Sequence, residues 1–275
     1  GFGNLTSIGG TLTINSNDML TNVDGFGNLT SIGGTLTINS NDKLANLYGF
    51  GKLTSVGGRL SIQSNDNLTN VNGFGSLTSI GSGLSIYVND NLINVDGFRN
   101  LTSISDSLGI DKNNNLANVD GFGNLTSIGD RLYINANANL TNVDGFGNLT
   151  SIGGALTIQG NDNLINMDGF GNLTSTGDLT IERNYKLTNV DGFANLTSIS
   201  GFLSISNNFK LNNLKGFAKL ARIVGELKLG DVGVGNDCFP ALTCVGSIQG
   251  AASFAGHPRC TSASATRLLS LPTCA

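Results

Sequence analysis

Apolar and polar positions alternate along this chain in a pattern that returns every 24 residues. In the first copy Phe2, Leu5, Ile8, Leu12, Ile14, Leu20 and Val23 are apolar, as are nearly all their later counterparts. Copies open at Gly1, Gly25, Gly49, Gly73, Gly97, Gly121, Gly145, Gly169, Gly192 and Gly216, the eighth being one residue short. Repetition at such a period marks a solenoid, in which each coil packs only on its neighbours. Strict alternation over Thr11-Leu12-Thr13-Ile14-Asn15 predicts a strand with Leu12 and Ile14 inward and the other three outward. Elsewhere the inward residues fall three apart, Leu5 to Ile8 and Leu20 to Val23, which predicts bent extended pieces or short strands. No segment carries the ten or more residues of 3.6-residue periodicity that a helix needs. The expected fold is all-β: a right-handed, parallel β-helix-like rod of about ten coils, roughly 45–50 Å long at ~4.8 Å per rung.

Three columns of identical residues are expected to hold the coils together. Phe2, Phe26, Phe50, Phe74, Phe98, Phe122, Phe146, Phe170, Phe193 and Phe217 should stack as an aromatic spine. Asn17, Asn41, Asn65, Asn89, Asn113, Asn137, Asn161, Asn184 and Asn208 follow the strand, where an amide can bridge to turn backbone and to the next asparagine. Asp24, Asp96, Asp120, Asp144, Asp168 and Asp191 precede Gly-Phe in a turn where the carboxylate is expected to accept backbone N–H groups. Tyr48, Asn72 and Lys215 interrupt that column, which argues against stacked calcium sites, and no metal or other cofactor is expected.

The outward strand positions behave differently, changing from coil to coil while the rest stays uniform. Arg59, Gln63, Tyr87, Asp111, Arg131, Tyr133, Gln159, Glu182 and Arg183 stand there, and Tyr and Arg are the usual anchors of interfaces. These nine are the candidate partner-binding residues. A rival surface is regular: Thr6, Thr30, Thr54, Thr78, Thr102, Thr126, Thr150, Thr174 and Thr197 form an outward column, each followed by Ser. Such an array on a weakly charged rod has the regularity of ice-binding solenoids, although Thr hydroxyls also bond locally to backbone.

Composition narrows the remaining options. Charged residues make up 12% of the chain and the net charge is −4, so nothing favours nucleic acid or an anionic membrane. No stretch approaches the ~20 apolar residues of a membrane span, and membrane insertion is not expected. Catalysis is not expected either: the single histidine, His257, sits in a Gly-His-Pro turn, and coils held to 23 or 24 residues leave no loops to build a cleft. Cys238, Cys244, Cys260 and Cys274 all lie beyond the last good repeat. An even cysteine set at one end suggests a disulfide-bonded cap and an oxidising compartment; Cys238–Cys244 with Cys260–Cys274 is the local pairing among three. The chain is thereby divided into a repeat solenoid, residues 1–230, and a cysteine-containing C-terminal cap, residues 231–275, with Phe239, Leu242, Phe254, Leu268 and Leu269 available to cover the last coil. The chain starts at the first residue of a repeat and shows no signal peptide, which reads as a mature form or fragment whose first coil can associate end to end.

The motifs LTSIGG (Leu5 to Gly10) and LTI (Leu12 to Ile14), with Asn17 and Leu20, resemble the receptor L-domain repeat, a relative of the leucine-rich repeat. The pattern is similar above all to copies in microbial and fungal cell-surface proteins. The resemblance implies a leucine-rich-repeat-like rod, an extracellular location and non-enzymatic recognition or adhesion through a protein or glycan ligand. Ice binding and a structural cell-wall spacer stand as alternatives. Asn-Leu-Thr triplets at Asn4, Asn28, Asn67, Asn100, Asn124, Asn139, Asn148, Asn172 and Asn195 are glycosylation acceptors by sequence in a eukaryotic secretory pathway.

Overall fold

The computed structural model describes residues 2–230, the backbone of 231–232 and of 244–249, and residues 271–272. Cys238, Cys260 and Cys274 lie outside these residues, as do Phe239, Leu242, Phe254, Leu268, Leu269 and His257; of Cys244 only the backbone is described.

Each of the first eight coils contributes one two-residue strand and one four-residue strand, and both kinds stack in parallel. Ser7–Ile8 through Ser151–Ile152 form a seven-stranded sheet. Leu12–Asn15 through Leu203–Asn208 form the main part of a thirteen-stranded one. The register is one coil to the next without slippage, Leu12 opposite Leu36, Leu108 opposite Leu132, Leu156 opposite Leu179. Leu and Ile of every long strand point into the core from the second coil on and are essentially fully buried. The short sheet is interrupted at the shortened eighth coil, where Ser175–Thr176 carries Thr in place of Ile and pairs onward instead with Ser198–Ile199. At the far end the long strand Arg222–Val232 joins the two sheets, and Cys244–Gln249 pairs with it in parallel.

The third side of the coil is a three-residue 3-10 helix, Asp24–Phe26 in the first instance and Lys215–Phe217 in the last described. Phe26 N–H donates to Val23 O at 3.0 Å, and Leu29 N–H to Phe26 O at 2.8 Å, turning the chain toward the next short strand. The glycine between Asp and Phe is required by packing. A Cβ at Gly49 would overlap the Val23 carbonyl of the preceding coil, and one at Gly121 the Val95 carbonyl. The rings that follow stack with centroids 5.2–5.8 Å apart and planes within 12°. Rung spacing forces this parallel offset arrangement and seals the core against water.

The asparagine ladder is continuous from Asn17 to Asn208. Asn113 is fully buried. Its Nδ2 donates to Ile86 O (3.0 Å), Asp111 O (3.1 Å) and Asn137 Oδ1 (3.3 Å), while its Oδ1 accepts from Asn89 N (3.0 Å) and Nδ2 (3.3 Å). Each amide thus saturates its neighbours' backbone where the chain leaves the sheet. The aspartates of the Asp-Gly-Phe turn act otherwise than expected: no backbone N–H bonds to their carboxylates. Asn22 Oδ1 instead accepts Asp24 N–H at 3.2 Å, and Asn118 accepts Asp120 N–H at 3.2 Å, so the asparagine two residues earlier makes the turn. The carboxylates stand in a like-charged row, and partial burial together with Asp168 and Asp120 raises the Asp144 pKa.

Candidate functional site

The outward face of the long strands is built by alternation, so its residues fall into columns along the rod. Gln63, Tyr87, Asp111, Asn135, Gln159 and Glu182 occupy one column on six successive rungs. Ser85, Gly109, Tyr133, Thr157 and Thr180 occupy the next. Arg59 and Arg131 precede their strands by one residue and are exposed, and Arg183 follows its strand by one. The nine candidates therefore share one face about 24 Å long at the usual rung spacing.

At its centre the side chains engage one another, both within a rung and across rungs. Arg131 Nη1 donates to Tyr133 Oη at 2.9 Å. Lys112 Nζ donates to Tyr87 Oη at 3.2 Å and lies 5.4 Å from the ring centroid. Each tyrosine oxygen thus accepts from a cation, which leaves its own proton free to donate outward. Between the two rings lies Gly109, whose absent side chain leaves room for the Asp111 carboxylate; a Cβ there would meet Asp111 Oδ2 at 3.4 Å. Burial raises the Asp111 pKa to about 6, against hydrogen bonding from Asn135 and the Lys112 charge. Asp111 Oδ1 and Asn135 Oδ1 are buried without a hydrogen-bond partner. Two half-buried phenols, two cations and two unsatisfied acceptors therefore share this part of the sheet. Lys112, Gly109 and Asn135 belong to it although sequence reasoning did not place them among the candidates.

The backbone turns sharply where this face ends. The residue after the fourth position of each long strand has φ of 52–56° in eight coils: Ser16, Ser40, Ser64, Val88, Lys112, Ala136, Arg183 and, inside the longer strand Leu203–Asn208, Asn207. Only the seventh coil uses glycine there, Gly160 at 67°. Arg183 and Lys112 thus project from left-handed backbone rather than from the pleat.

The threonine column is exposed, but most of its hydroxyls are engaged. Thr30 Oγ1 donates to Thr6 O (2.9 Å), Thr54 to Thr30 O (3.0 Å) and Thr150 to Thr126 O (3.0 Å). The asparagines of most glycosylation triplets also carry structure. Asn28, Asn100, Asn124, Asn148, Asn172 and Asn195 donate through Nδ2 to the carbonyl of Gly3, Gly75, Arg99, Gly123, Gly147 and Gly171. In the same column Ser76 makes the equivalent bond to Gly51 O at 2.7 Å. Asn-Leu-Thr is therefore a structural triplet: an inter-coil donor, a core leucine and a second inter-coil donor. Among the described residues, no group of three or more His, Cys, Asp or Glu could hold a metal ion.

An independent sequence comparison bears on what such a face does. Residues 30–116 match the family model of the receptor L domain. The matched stretch runs from Thr30 in the second coil to Leu116 in the fifth and includes Arg59, Gln63, Tyr87 and Asp111. Receptor L domains are non-enzymatic ligand-binding modules, typically extracellular. No curated protein matches the chain. Among the described residues, no helix is long and apolar enough to cross a membrane.

Proposed function

We propose that the chain is an extracellular recognition module that binds a protein partner through the central strand face of its L-domain solenoid. The observation that carries this reading is the cluster of Tyr87, Asp111, Arg131 and Tyr133 on adjacent rungs of an otherwise uniform rod. Tyr and Arg anchors held by their own contacts lose little side-chain freedom on binding, which is where interface energy concentrates. A spacer would need no such cluster. The triple variant Tyr87→Ala, Arg131→Ala, Tyr133→Ala should lose binding by 100-fold or more, an estimate of about 1 kcal/mol per anchor. Screening both forms by surface plasmon resonance against a library of extracellular proteins checks this. A partner held equally by both forms contradicts the reading.

Ice binding is a second reading, favoured by one observation. The serine following each column threonine, Ser31, Ser55, Ser79 and their equivalents, has a hydroxyl with no hydrogen bond to the described protein. A row of free hydroxyls repeating at ~4.8 Å is the kind of array that could order water. The committed Thr hydroxyls supply a structural reason for the neighbouring column and weigh against it. Single ice crystals growing unfaceted in the purified protein would remove this reading.

A further inference from the structure

Near the end of the described rod the strand face opens into a cavity of about 380 Å³. Thr180 and Glu182 line it from one coil, Phe202 and Ser204 from the next, and Glu226 and Lys228 from the strand Arg222–Val232. Thr180, Ser204 and Lys228 lie side by side in register, which sets Glu182 and Glu226 diagonally across Ser204. The Ser204 hydroxyl donates to Glu182 Oε1 at 2.9 Å. Glu226 Oε1 is buried and has no hydrogen-bond partner. Lys228 is not within ion-pair distance of either carboxylate: among the described residues the one ion pair is Arg131–Asp130, at 3.8 Å. Phe202 is 39% exposed at the wall.

An ionised carboxylate only accepts hydrogen bonds, so two of them facing one space cannot satisfy each other. What satisfies both is a cation with several donors. A guanidinium presents five N–H groups in a planar fork, engages carboxylates through paired bonds and stacks on an aromatic ring; an ammonium does less of each. The geometry points to a binding site for an arginine side chain of a protein partner, between Glu182 and Glu226 and against Phe202. This site rests on the reading that the strand face binds a protein. It lies three rungs from Tyr133, about 15 Å along the rod, so one partner spans both.

The test is a titration of the full chain, followed by amide NMR shifts, with a blocked Gly-Arg-Gly peptide, its neutral citrulline counterpart and its cationic lysine counterpart. The arginine peptide should produce saturating shifts at Thr180, Ser204 and Glu226 at concentrations about tenfold below either counterpart. Glu226→Gln should weaken it about tenfold with the spectrum otherwise retained, and Glu182→Gln supplies the same readout if the first variant loses dispersion. Lys228→Gln, which removes a competing cation, should tighten it. Equal shifts with citrulline, equal affinity for lysine, or an unchanged Glu226→Gln titration would overturn the assignment. Shifts confined to Tyr87, Asp111 and Tyr133 would also overturn it while leaving the strand-face reading intact. Partner binding lost in the Tyr87/Arg131/Tyr133 variant but kept in Glu226→Gln places the failure on this site alone.

Discussion

Val88 holds a β-branched side chain at φ 52°, where Cβ crowds the following carbonyl. Glycine relieves that crowding, so Val88→Gly should raise stability by about 1 kcal/mol in urea unfolding despite glycine's extra chain entropy. This strain was not legible in the sequence. The position holds Ser, Val, Lys, Ala, Arg and Asn, and one glycine among nine coils does not announce a left-handed site. Asp111 is a second residue whose environment exceeds its sequence signal. Its folded pKa, about 6, lies above the unfolded value, so the native state binds the proton more tightly. The stability it contributes is complete below the unfolded pKa near 4 and is lost as pH rises through 6. Asn135 and Tyr87 flank it on the neighbouring rungs, and Lys112 follows it in the chain. Asp111→Asn should abolish this slope and stabilise the protein at pH 7, by on the order of 1 kcal/mol after solvent screening. Chemical denaturation from pH 4 to 7 reads both effects; an unchanged slope would show that the carboxylate is solvated.

At the scale of the element, the repeat was read well where alternation is strict and poorly where it is not. The strand Leu12–Asn15 and its copies follow from two-residue periodicity, and their parallel stacking follows from the identity of the coils. The 3-10 helix did not, because three residues are too few to establish a period. Asp-Gly-Phe reads as a turn, and the natural inference was that its carboxylate makes the hydrogen bonds. Asn22 and its counterparts do so instead, and they precede the motif by two residues. The glycine of that turn yields a sharp prediction. Gly121→Ala places a methyl in the Val95 carbonyl and should cost about 3 kcal/mol or more by separating adjacent coils. Gly123→Ala should be nearly neutral, since Ala194 and Arg99 already stand at that position elsewhere. Thermal melts of the two variants compare them directly. The ladder is equally exacting: Asn113→Leu strands donors and acceptors on three coils and should cost roughly 3–5 kcal/mol.

Across the whole molecule, constancy and variation divide the labour. Phenylalanine, leucine, isoleucine and asparagine columns repeat because every coil meets the same neighbour, and the threonines and triplet asparagines repeat for the same reason. A regular surface column is thus first a record of inter-coil bonding. The strand face escapes that constraint, since its side chains touch solvent and one another. Its divergence made Tyr87, Arg131 and Tyr133 visible in the sequence; the contacts of Lys112 with Tyr87 and of Asn135 with Asp111, and the Glu226 cavity, became visible only in the structure. The central claim is that recognition resides on this face. Its most direct measurement is a saturation scan of every outward position on displayed protein, sorted separately for folding and for binding to the captured partner. The account predicts that substitutions abolishing binding without unfolding cluster between Arg59 and Lys228 on the long-strand face. A cluster on the Thr6-to-Thr197 column, or none distinct from folding, would contradict it.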